Sequence, residues 1–136
     1  LLNLNRDQML LGTNTDGKPF TPSYPNDPYF KTPEQAASYT SMKLSLEHRH
    51  RERITYPLNY HKDLFTPNLI VTGPFQDNMF ITTNPNSFEI GSRYIESDDI
   101  ESKYNHKVFG LAPLSIDYFW RYFLLQRLRN HLKYFG

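Results

Sequence analysis

The stretch MFITTNPNSFEIGS, residues 79–92, reads as a β-hairpin. Met79, Ile81 and Thr83 alternate with Phe80 and Thr82, the period-two pattern of a half-buried strand. Asn84-Pro85-Asn86-Ser87 forms a turn, and Phe88 and Ile90 resume the alternation. Two such runs across a short turn predict an antiparallel hairpin. The β reading extends back over 64–92, with Leu69, Ile70 and Val71 leading into Thr72-Gly73-Pro74.

Helices flank this hairpin. Over 115–135, Ile116, Phe119, Trp120, Phe123, Leu124, Leu128, Leu132 and Phe135 build an apolar stripe at helical spacing. Ser115 is placed to cap that helix and Asp117 suits its positive end. The stripe is expected to pack on the sheet. Residues 1–11 put Leu1, Leu4, Gln8 and Leu11 on one stripe, and Gly12 follows where a C-terminal glycine sits. Over 34–53 a helix is expected, with Thr32 as cap and Pro33 in the first turn. Alternation from Met42 to Leu46 leaves a strand open there. Residues 93–114 read as irregular, with an acidic knot at Glu96, Asp98, Asp99 and Glu101.

Between the first two helices, TNTDGKPFTPSYPNDPYFKTP at 13–33 carries prolines at 19, 22, 25, 28 and 33. A loop this long in a small domain is usually functional. These elements predict an α+β fold: a small antiparallel sheet packed against a long C-terminal helix and an N-terminal helix. One domain spans 1–136, with 13–33 as an extended Pro-rich arm. Leu1 in place of an initiating Met leads us to expect sequence before it.

Composition narrows the function classes. The 136 residues suit one domain. Hydrophobic residues make up 38%, below the usual share of roughly 45–50%, and aromatics reach 15%. That balance predicts a small aromatic core, and chains so rich in aromatics and loops often complete their burial against a neighbour. The net charge of +1 gives no global pull toward nucleic acid or membrane. The absence of cysteine removes disulfides, thiolate catalysis and cysteine-based zinc sites. No run of about 18 apolar residues suggests a bilayer span.

No catalytic, cofactor or metal site is expected. His48 and His50 share a face only on a strand, and no HExxH pattern accompanies the five histidines. There is no GxSxG, GxxxxGK or GxGxxG. Lys43, Arg49, Arg51, Arg53 and Lys62 gather between 43 and 62 among histidines and aromatics. That segment has two readings besides a solvated face. It grips a nucleic-acid strand as an accessory protein, or it meets the acidic knot of a neighbouring copy. Opposed patches on one chain suit a head-to-tail contact that closes into a ring.

Taken in order, Asp16-Gly17-Lys18-Pro19-Phe20-Thr21-Pro22, Val71-Thr72-Gly73-Pro74-Phe75, Phe88-Glu89-Ile90-Gly91-Ser92 and Phe109-Gly110-Leu111 form a series that ends before the last helix. In that series the chain resembles the tail-completion or head–tail joining (neck) proteins of long-tailed phages. It is also similar to the virion-morphogenesis proteins of Mu-type phages, in versions carried by phages of gut Bacteroidales. It departs from many relatives in carrying PLNYHKDLFTPN in place of an Arg- or Lys-rich loop, and Asp77 is shifted.

The resemblance implies an α+β fold, no enzyme activity and no cofactor. It implies a virion protein made in the bacterial host cytoplasm and located at the neck or top of the tail. Copies would form a ring, often a hexamer, against portal, connector or tail-tube proteins, with non-specific contact to packaged DNA and no membrane. On that reading Phe20, Tyr24, Tyr29 and Phe30 anchor the arm in a neighbour. Arg49, Arg51 and Arg53 would pair with Glu96, Asp98 and Asp99 of the next copy.

Overall fold

The computed structural model describes residues 1–135, with side chains through Lys133, so Phe135 of the expected stripe falls outside the described side chains. The fold is α+β, with a two-stranded antiparallel sheet, an N-terminal helix and a long C-terminal helix. In chain order the elements are α1 (Leu2–Leu10), a 3₁₀ turn (Tyr24–Asn26), α2 (Pro33–Arg51) and α3 (Pro74–Asp77). The hairpin of β1 (Met79–Asn84) and β2 (Ser87–Ser92) follows, and then α4 (Ser97–Lys103). The last helix runs as α5 (Pro113–Phe119), a π-helical stretch (Trp120–Leu124) and α6 (Leu125–Phe135).

The hairpin pairs as its alternation predicts, with Ile81 opposite Ile90 and Thr83 opposite Phe88. Residues 69–71 are not a strand. Leu69 has φ +60, Ile70 is buried, and the segment bends into α3. Gly73 caps α3 at φ 111, and a Cβ there would lie 2.6 Å from the Arg53 guanidinium. The left-handed φ favours glycine at the centre of the Thr-Gly-Pro element, while the Arg53 guanidinium is the mobile end of a side chain that can swing aside.

α1 is the axis of the molecule. Leu4 and Leu11, seven residues apart, share one face and pack with Leu58, Tyr118, Phe119 and Phe123. Met9, about half a turn away, joins Phe20, Phe75, Met79 and Val108, with Ile90, Ile100 and Tyr104 around them. The sheet side and the last-helix side are thus two clusters separated by α1. The helix ends in a Schellman motif: Thr13 N–H reaches Gln8 C=O at 3.1 Å and Gly12 N–H reaches Met9 C=O at 2.8 Å. Gly12 holds the left-handed φ of +68 that this closure needs.

The polar side chains of α1 are buried as well, and each fastens a passing loop. Asn5 donates to Val108 C=O at 3.1 Å and accepts from Gly110 N–H at 3.0 Å. Asp7 accepts from Thr55 N–H and Tyr56 N–H, the latter at 2.7 Å. Burial raises the Asp7 carboxyl above its ordinary range, against the pull of those two amides.

α2 begins as its sequence predicts, with the Thr32 hydroxyl accepting from Gln35 N–H at 3.1 Å. The open strand alternative for 42–46 gives way to helix. Two expectations are corrected beyond it. The acidic knot is not irregular: Asp98 and Asp99 form the first turn of α4, where they favour its positive end. Ser115 is not the cap of the last helix. Ala112 holds that place with Pro113 as first helical residue, and the buried Ser115 hydroxyl is engaged elsewhere.

Candidate functional site

The expected arm is folded onto the body. Thr13 bridges to Pro19, and Phe20 inserts into the core at 2% exposure, edge-on to Tyr104 with ring centroids 5.1 Å apart. Tyr24 is 4% exposed, meets Tyr39 at 5.6 Å, and its hydroxyl accepts from Asn68 N–H at 3.4 Å. Phe20 and Tyr24 are therefore core residues and not anchors for a neighbour. Phe30 is half-buried against Tyr39. Tyr29, at 78% exposure, is the one expected anchor that stands at the surface.

The basic segment is largely neutralised within its own chain. Arg51 pairs with Glu47 at 3.0 Å and Arg53 with Asp77 at 3.4 Å, which leaves Arg49 exposed and without an ion pair among the described residues. Lys43 and Lys62 point inward. Lys62 Nζ lies 3.2 Å from Glu47 Oε1, and Lys43 Nζ donates to Asn68 Oδ1 at 2.6 Å and to Ile70 C=O. Burial pushes the Lys43 ammonium down to about 8, helped by the nearby Lys62 charge and resisted by Glu47. The structure brings Lys43, His50 and Asn68 together, with His50 Nδ1 3.3 Å from the Asn68 amide nitrogen. No continuous basic face of the kind that tracks a phosphate backbone results.

Glu96, Asp98 and Asp99 are exposed and make no ion pair among the described residues. Glu96 and Asp99 stand on the lip of a groove between α2, the 67–74 segment and α4. Tyr24, Tyr39, Phe75 and Tyr104 lie along it, and its cavity is about 490 Å³. Asp27 in this groove takes Lys103 Nζ at 2.5 Å. That ammonium also stands 5.9 Å from the Tyr29 ring centroid and 5.7 Å from that of Tyr104. The groove thus already holds one cation between a carboxylate and aromatic faces.

The feature that sequence reasoning missed is the outer side of the last helix. Tyr118, Phe119 and Phe123 pack on the Leu4 cluster, but Trp120, Leu124, Leu128 and Leu132 are 43–57% exposed. The stripe is core only on its inner edge, and α1 keeps it from the sheet. From Gln126 to Lys133 every residue is exposed, so α6 projects from the body. A signal was present. Between Tyr118 and Leu125 only Arg121 is not apolar, so the helix is apolar nearly all round there. A helix of that kind needs cover on more than one side. Its π-helical stretch at Trp120–Leu124 is a widening often found at functional positions.

Among the described residues no three His, Cys, Asp or Glu side chains converge to hold a metal ion, and no helix is long and apolar enough to cross a membrane. No protein-family model matches this chain, and no curated protein or solved structure matches it.

Proposed function

We propose that this chain is a structural virion protein of a tailed phage, not an enzyme, acting in head–tail joining or tail completion by ring assembly at the neck. The observation that carries this reading is the projecting last helix, which leaves Trp120, Leu124, Leu128 and Leu132 without cover. Helical stability in proteins comes mostly from tertiary packing of an apolar face, and these projecting turns lack it. A partner of the right shape supplies that packing, which is what an assembly protein needs. The resemblance of the ordered motif series, from Asp16-Gly17 to Phe109-Gly110-Leu111, is what directs this reading to a phage neck protein. Portal, connector or tail-tube proteins are the remaining neighbours under this reading.

Deleting the gene from the parent phage tests it, with electron microscopy of the lysate as readout. Separate filled heads and finished tails are expected for a joining role. Filled heads carrying overlong or ragged tails would assign termination. Normal infectious particles would overturn a virion role.

A further inference from the structure

We infer that the last helix of one copy seats in the tyrosine-lined groove of the next copy, an inference that rests on the assembly reading above. The two surfaces match in charge. No acidic residue lies between Tyr118 and Lys133, where Arg121, Arg127, Arg129 and Lys133 give a cationic helix; among the described residues only Arg121 of these four has an ion pair, with Asp117 at 3.0 Å. The groove presents Glu96 and Asp99 without partners among the described residues. Lys103 between Asp27, Tyr29 and Tyr104 shows the chemistry that an incoming guanidinium repeats at this rim.

They also match in apolar form. Leu124, Leu128 and Leu132 recur every four residues, about 6 Å apart along the axis. The groove offers the part-exposed Tyr39, Leu69, Val71 and Ile100 along a cavity of about 490 Å³. An amphipathic helix lying in an apolar groove is a recurrent recognition mode.

The contact must run between copies. The groove belongs to the side of α1 that holds Phe75, Ile100 and Tyr104, and the last helix leaves from the side that holds Leu4 and Leu58. A helix on one side meeting a groove on the other is a head-to-tail contact, which closes into a ring when its rotation permits.

The cysteine-free chain allows a direct test. Val71→Cys marks the groove, and Leu124→Cys, Leu128→Cys or Leu132→Cys marks the helix. Each variant is oxidised alone and in mixture, then run on a non-reducing gel. The expected result is a cross-linked dimer in the groove-plus-helix mixtures and none from either variant alone. A helix variant that cross-links to itself would mean that helices pair with each other, and would overturn the groove. A second arm reverses charge: Arg129→Glu is expected to weaken self-association roughly tenfold, and Asp99→Arg in the same chain to restore it. Wild-type oligomers with no cross-link in any mixture and no response to charge reversal would overturn this contact while sparing the assembly reading. A wild-type chain that stays monomeric would overturn both.

Discussion

The Oε1 atom of Gln8 accepts from the Ser115 hydroxyl at 2.8 Å, and this contact sets where the last helix leaves the body. The same oxygen accepts from Ala112 N–H at 2.8 Å, and Gln8 Nε2 donates to Gly110 C=O at 3.1 Å. The Tyr60 hydroxyl lies 2.8 Å from Ser115 Oγ and accepts from Ser115 N–H at 3.0 Å. One side chain of α1 thus satisfies the start of α5 and the strap before it. Gln8→Leu keeps the bulk but strands the buried Ala112 N–H and Gly110 C=O. We expect a loss of about 2–4 kcal/mol in urea denaturation, against about 1 kcal/mol for Ser115→Ala.

Gly12→Ala tests the closure of α1. The left-handed φ of +68 costs a non-glycine residue about 1–2 kcal/mol. The added Cβ would also lie 2.8 Å from Thr66 Cγ2. The denaturation midpoint should fall, and Thr66→Ser in the same chain should recover part of the loss. Equal stability of Gly12→Ala and wild type would contradict the Schellman geometry.

Stability should climb with pH through the buried lysines. Lys43 titrates at about 8 when folded and 10.5 in its ordinary state, because burial disfavours its charge. Between those values the unfolded chain holds a proton that the folded chain has released, so raising pH favours the folded state. The gain is on the order of 3 kcal/mol across the window, and Lys62, also lowered by burial, acts in the same direction. Above pH 10 the buried hydroxyls of Tyr24, Tyr39 and Tyr104, all raised by burial, reverse the trend. Unfolding free energies from pH 7 to 11 should rise to a maximum near pH 10. Lys43→Met should flatten most of the rise, whatever its starting stability.

The hairpin, the Gly12 stop and the Thr32 cap were legible because each depends on neighbours in sequence. The inner face of α2 was not. Ala36, Thr40, Lys43, Glu47 and His50 repeat at helical spacing and are buried, while Tyr39, Met42, Leu44 and Leu46 are only half covered. A polar stripe reads as a solvated face until its partners are known, and Asn68 and Lys62 come from a distant loop. That burial also removed much of the basic patch expected at 43–62. Phe20 and Tyr24 misled for a related reason: proline-rich spacing predicts an ordered loop but not the surface it lies on. Ser115 has the chemistry of a cap, yet its hydroxyl is taken by Gln8. The α+β class needed only local patterns; the candidate surfaces depend on which face of a helix the rest of the chain leaves uncovered.

If the projecting helix is covered by another copy, sedimentation equilibrium shows it in the mass of the particle. The wild-type chain of 16.1 kDa should sediment as a multiple of that mass. The variant carrying Leu124→Ser, Leu128→Ser and Leu132→Ser should sediment at the single-chain mass with its core intact, since exposed substitutions shift stability by about 0.5 kcal/mol or less each. A wild type that stays at single-chain mass, or a triple variant that assembles as well as wild type, would contradict the account.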